Sequence, residues 1–309
     1  MIRGAAAAVA LLATLSGLAA CGGAAGDDMP PGAASLPPAA DAPAAAGQAP
    51  AATPTRPAQP QAPAVPEVGP QYVALGDSYA AAPGVPVTDD TDGCFRSSGN
   101  YAQQVARATG LTVTDVTCSG ATTDTVLTTQ VPALTPETEL VTLGVGGNDF
   151  DLFSDLIFSC LDLPDADPDG PPCAETIRAG VDRTVPQIAD GVSTLLDAIT
   201  AAAPRAQVVV VGYPDLMPAT GTCPDRIPLA VDDYPLLNEL TRGLSGVLRA
   251  EADLRGLDFV DLERPSRGHD ICSAQPWVSG LTVTSDGPIP FHPFPAEQRA
   301  VARKVVAFL

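Results

Sequence analysis

From about Pro70 to Leu309, short β-branched apolar runs alternate with longer stretches of helical period. Few architectures accept that alternation. A parallel sheet with helices on both faces is the simplest, because each crossover needs a helix-length connection. The spacing predicts strands at Tyr72–Gly76, Leu111–Thr117, Leu140–Gly144, Gln207–Gly212 and Leu257–Leu262. The Val-rich Gln207–Gly212 run reads as a strand buried on both faces. Helices are expected over Tyr101–Thr109, with Tyr101, Val105 and Ala108 inward and Gly110 as the stop. Further helices are expected from Pro186, or through a kink there, to about Ala203, over Leu236–Ala252, and from Pro295 to the end. Val185, Ile188, Val192, Leu195, Leu196 and Ile199 recur at helical spacing on one face. The expected fold is three-layer α/β/α with a central, mostly parallel five-stranded sheet.

Three of those strands run into loops rich in small polar residues. The first ends in Gly76-Asp77-Ser78-Tyr79, the second in Cys118-Ser119-Gly120-Ala121, the third in Gly146-Gly147-Asn148-Asp149. In a parallel sheet all three loops meet at one edge, where ligands of open α/β sheets bind. Acyl transfer needs a nucleophile, a base and donors for the developing oxyanion. Ser78 supplies a hydroxyl, and its own N–H, the Gly120 N–H and the Asn148 amide supply donors. His292, in Ile289-Pro290-Phe291-His292-Pro293 before the last helix, supplies a base that titrates near neutrality. Asp77 is expected to cap or orient the Ser78 turn.

The order Ser78, Gly120, Asn148, His292 resembles the signature of the GDSL, or SGNH, hydrolase family, and the likeness spans about Pro70 to Leu309. It implies a flavodoxin-like fold and a serine ester hydrolase with Ser78 and His292 as catalytic pair. Ser78, Gly120 and Asn148 would form the oxyanion hole. Within the family, the chain looks like the secreted lipase/esterase branch of actinomycetes. Cys118-Ser119-Gly120-Ala121, Val211-Gly212-Tyr213-Pro214, Gly268-His269-Asp270-Ile271-Cys272 and Pro276-Trp277-Val278 carry that likeness. Many family members place an Asp three residues before the histidine, and here that position is Ile289. The branch implies a backbone carbonyl instead, from Ile289 or Pro290, with Asp286 as the competing partner. An acetyl-glycan deacetylase and a non-catalytic surface lipoprotein are the alternatives. No cofactor or metal is called for. An α/β-hydrolase is disfavoured because no Gly-x-Ser-x-Gly occurs, and His-Glu-x-x-His is also missing.

The chain has seven cysteines, of which Cys21 stands apart. The other six admit many pairings. The lipase-like resemblance implies Cys94–Cys118, Cys160–Cys173 and Cys223–Cys272. His269, beside the last pair, is expected to be structural or substrate-adjacent, and Trp277 to pack at the cleft rim or in the core. The loops Ala80–Gly99 and Phe150–Pro172 carry no readable specificity code. Asp89, Asp90 and Asp92 lack the full spaced set of a Ca²⁺ loop.

Ahead of the domain, Arg3 precedes an apolar run that ends in Leu18-Ala19-Ala20-Cys21-Gly22. This resembles a bacterial lipobox, which implies a signal peptide over 1–20 and acylation of Cys21. Residues 21–69 are rich in Ala and Pro and read as an extended tether. Residues 70–309 form the hydrolase domain. The expected location is the outer face of the cell membrane, or secretion if the lipobox is not used. Disulfides persist there. The formal net charge of −20 repels nucleic acid. The expected partners are a small-molecule or lipid ester and the membrane holding the anchor, with the domain itself a monomer.

Overall fold

The structure, a computed structural model, describes residues 71–162, 173–283 and 287–309. The expected signal peptide, Cys21, the tether and Asp286 lie outside those residues. Five strands form one parallel sheet: β1 (Tyr72–Gly76), β4 (Val113–Asp115), β5 (Leu140–Gly144), β6 (Gln207–Val211) and β7 (Asp258–Val260). Their order is β4-β1-β5-β6-β7. The chain steps outward from β1 to β4, then returns across β1 to continue through β5. That reversal opens a crevice beyond the carboxyl ends of β1 and β5. Every residue of β1 and β5 is buried, as strands covered on both faces require.

Helices α2 (Tyr101–Thr109) and α7 (Pro295–Val306) pack together. So do α5 (Cys173–Ala202) and α6 (Tyr234–Leu254). Right-handed crossovers on either side of the reversal put the two pairs on opposite faces of the sheet. A two-stranded antiparallel ribbon, β2 (Thr88–Asp89) and β3 (Arg96–Ser97), lies within the expected irregular loop. Two short helices, α1 (Ser78–Ala81) and α3 (Thr123–Thr125), and the longer α4 (Leu152–Asp162) follow β1, β4 and β5.

The register places the strand ends level: Tyr72 pairs with Leu140 and Gly76 with Gly144. A Cβ on Gly76 would lie 2.4 Å from the Gly144 carbonyl oxygen. Only glycine lets the two strand ends approach this closely.

The structure corrects several boundaries. Helix α5 begins at Cys173 and carries Pro186 in its interior, so Pro186 is not its start. Helix α4 occupies the first half of what the sequence left as a loop. In α2, Ala102 is buried and Ala108 exposed, because the helix turns its Tyr101–Ala102–Val105 face to the core. The flanking strands β4 and β7 are shorter than their apolar runs. All three expected disulfides are formed.

Candidate active site

Ser78 is the first residue of α1, directly after β1. Asp77 caps that helix. Its Oδ1 accepts from the Tyr79 N–H at 2.9 Å, and its own N–H donates to the Gly144 carbonyl at 3.0 Å. Its Oδ2 accepts from the Tyr213 hydroxyl at 2.5 Å. Burial pushes the Asp77 carboxyl up to about 6, against the pull of these hydrogen bonds. The Tyr213 oxygen in turn accepts from the Gly147 N–H at 3.1 Å. One phenol thus ties the turn before Ser78 to the loop before Asn148. Behind the turn, the Gln130 amide brackets Gly76, accepting from its N–H at 2.8 Å and donating to its carbonyl at 3.0 Å.

The other two loops are braced against each other. The buried Asp149 carboxylate accepts from the Thr123 N–H at 3.0 Å and the Thr123 hydroxyl at 2.5 Å. The Asn148 Nδ2 donates to the Ala121 carbonyl at 3.1 Å, which uses one of its two N–H bonds. Gly120 has φ +81, a left-handed conformation that favours glycine. A Cβ there would meet no protein atom within 4 Å. Among the described residues the Ser78 and Gly120 N–H groups have no protein acceptor, and neither has the second N–H of Asn148. The Cys94–Cys118 disulfide and a Ser119 N–H bond to the Cys94 carbonyl, at 3.0 Å, fix the Gly120 turn to the β2–β3 side.

The imidazole of His292 arrives from the opposite end of the chain. Its Nδ1 lies 2.7 Å from the Pro290 carbonyl oxygen. That contact assigns the proton to Nδ1 and leaves Nε2 as the basic nitrogen. The Ile289 carbonyl is occupied elsewhere: it accepts from the His292 N–H at 3.2 Å and the Ser279 hydroxyl at 2.8 Å. Ser279 also accepts from the His292 N–H through its own Oγ, at 3.1 Å. Burial lowers the His292 pKa below its ordinary 6.5, and the Pro290 carbonyl opposes that shift. Tyr79 joins the two ends of the site. Its hydroxyl donates to the Phe291 carbonyl at 2.9 Å, and its ring lies 5.9 Å from the His292 ring.

Ser78, Gly120, Asn148 and His292 all line one cavity of about 420 Å³. The rest of its wall is largely apolar, with Phe153, Ile157 and Phe158 from α4, Leu216 after β6, and Phe291. Among the described residues, no lysine or arginine lines it.

Residues 74–300 match the GDSL-like lipase/acylhydrolase family. The chain belongs to that family. It is 34% identical to Lipase 2 of Streptomyces coelicolor over 77% of this chain and 85% of that protein. It is 34% identical to a lipase of Streptomyces rimosus over 72% of this chain and 80% of that protein. Among solved structures it resembles a phospholipase A1 from Streptomyces albidoflavus, with TM-score 0.68 and 30% identity over 77% of this chain and 99% of that one. The extracellular lipase of Streptomyces rimosus gives TM-score 0.66 and 30% identity, over 76% of this chain and 98% of that one. The protein is therefore a carboxylic ester hydrolase of the GDSL/SGNH class.

In this GDSL hydrolase His269 is not part of the cavity. Its ring stacks on Trp277 at 5.0 Å, and its Nδ1 lies 2.8 Å from the Gln275 carbonyl oxygen. Trp277 is buried, and its carbonyl accepts from the Phe294 N–H at 2.7 Å, so the stack braces the segment that carries His292. Sequence reasoning missed Tyr79, Tyr213 and Ser279 as supports, and Phe153, Ile157 and Phe158 as cavity wall. The spacing of Phe153, Ile157 and Cys160 was the available signal for α4.

Proposed function

We propose that the hydrolase cleaves esters with an apolar acyl group through a Ser78 acyl-enzyme. His292 Nε2 takes the Ser78 proton as Oγ bonds to the acyl carbon. The Ser78 and Gly120 N–H groups and Asn148 Nδ2 hold the oxyanion. The ester C–O bond then breaks, and His292 passes its proton to the departing alcohol. Water repeats the sequence and releases the acid. The Pro290 carbonyl orients the imidazole as a carboxylate does in a triad, but without a full charge. The observation carrying this reading is that the three donors without protein acceptors share one cavity with Ser78 and His292. The apolar wall supports an acyl chain over a sugar hydroxyl array.

The same reading includes export, a lipid on Cys21 and a tether over 21–69. A Cys21→Ser chain should leave the membrane fraction for the medium. Ser78→Ala should abolish turnover of p-nitrophenyl esters and labelling by a fluorophosphonate probe. Labelling that persists in Ser78→Ala would overturn the mechanism. A panel of acyl lengths should favour longer chains over acetate, and an acetate optimum would replace the substrate class with acetyl esters.

A further inference from the structure

Three exposed large apolar side chains, Phe95, Phe158 and Ile289, line the cavity, and a fourth, Phe150, follows Asn148 by two residues. Phe95 is 43% exposed, Phe150 58%, Phe158 62% and Ile289 47%. They come from four separate segments: the β2–β3 turn, the β5–α4 turn, α4 and the His292 loop. Exposed aromatic clusters of this kind mark interaction surfaces.

Two of these rings are held at a conformational cost. Phe95 has φ +54 and Phe150 φ +57, left-handed values that a bulky residue adopts only when its surroundings enforce them. Phe150 stays more than half exposed and Phe95 close to half. Strain retained at an exposed ring beside a catalytic cavity points to work done outside the fold.

We propose that Phe95, Phe150, Phe158 and Ile289 form a docking rim that seats the hydrolase on a zwitterionic phospholipid surface with the cavity mouth facing the lipid. The proposal deepens the esterase reading and rests on it for the cavity's role. Its occupant follows from continuity and charge. Whatever covers the rim also covers the mouth, so a protein partner would block the substrate's entry whereas a lipid surface delivers it. The chain carries a net charge of −20 and no lysine or arginine lines the cavity among the described residues, so an anionic surface is repelled. Aromatic and aliphatic side chains enter the boundary of a zwitterionic layer without needing cations.

The test uses the chain from residue 21 onward, without the expected signal peptide, carrying Cys21→Ser, which cannot be acylated, and Ser78→Ala, which cannot consume lipid. Its partition onto phosphatidylcholine vesicles is read by sedimentation. Adding Phe150→Asn and Phe158→Ser should reduce that partition at least about tenfold, because fully burying one phenylalanine ring is worth more than that factor. Val231→Ser with Leu254→Ser, at exposed sites outside the rim, should not reduce it. Phosphatidylglycerol vesicles should bind more weakly than phosphatidylcholine. Phe150→Asn alone should raise the melting temperature by about 2–4 °C while weakening partition, since asparagine tolerates the left-handed conformation. No partition onto phosphatidylcholine, equal loss with the Val231/Leu254 pair, stronger binding to anionic vesicles, or a lower melting temperature in Phe150→Asn would each overturn the proposal. So would a concentration-dependent dimer that the rim substitutions dissolve. Hydrolysis of soluble p-nitrophenyl acetate by the chain with Ser78 intact reports separately on the esterase reading, so the two can fail independently.

Discussion

Glu297 is a carboxylic acid sealed in the first turn of α7, five residues after His292. The Gln298 Nε2 donates to its carboxyl group at 2.7 Å. Burial drives its pKa from 4.5 up to about 8, and the Gln298 hydrogen bond only partly opposes this. The folded protein therefore holds a proton that the unfolded chain has released throughout the interval from 4.5 to about 8. Where the unfolded state binds fewer protons, stability falls as pH rises. Between about pH 6 and about pH 9, this one group should cost the fold about 2–3 kcal/mol. Glu297→Gln keeps the shape and an oxygen for Gln298 but cannot ionise. Guanidinium unfolding with disulfides intact, at a series of pH values, should show the parent losing that stability on the alkaline side. The variant should stay flatter by the same amount, and so be the more stable protein at about pH 9. Parallel curves, within about 0.5 kcal/mol over that range, would refute the idea that a buried neutral acid sits there.

Three further outcomes follow from the site. The acid limb of kcat/KM should inflect below 6.5, because burial favours the neutral, basic form of His292; an inflection above 6.5 would contradict the environment described. Tyr213→Phe should destabilise the protein by about 1–3 kcal/mol, since it strips the Asp77 carboxyl and the Gly147 N–H of one shared partner. Thermal unfolding reads that loss. Ser279→Ala should lower kcat about tenfold with KM little changed, because the clamp on Ile289 and His292 acts on geometry and not on substrate affinity. A change confined to KM would place Ser279 in a different role.

The sheet was legible because parallel strands buried on both faces leave unbroken apolar runs, as in Gln207–Val211. Three loops of the candidate site were legible for a related reason: those of Ser78, Gly120 and Asn148 each follow a strand, so chain order predicts their shared edge. The supports were not. Whether Tyr213 reaches Asp77, or Tyr79 reaches the Phe291 carbonyl, depends on how distant segments align in space. Local pattern carries no record of that alignment. Pro186 left open whether α5 starts there or runs through it, because proline favours first turns yet is tolerated inside this helix. The choice between Ile289 and Pro290 was open for the same reason. In the structure Ser279, ten residues upstream of Ile289, takes up the Ile289 carbonyl, and His292 Nδ1 faces that of Pro290.

The proposed nucleophile follows the first strand of the sheet, and the proposed base precedes the last helix. A chain synthesised from its N-terminus thus carries the serine through nearly the entire domain before its imidazole exists. The Tyr79–Phe291 and Gln298–Tyr79 bonds can close only once α7 has docked. On the proposed Ser78–His292 pairing, hydrolytic activity requires completed folding. A nascent or C-terminally clipped chain would meet ester bonds on its route and leave them uncut.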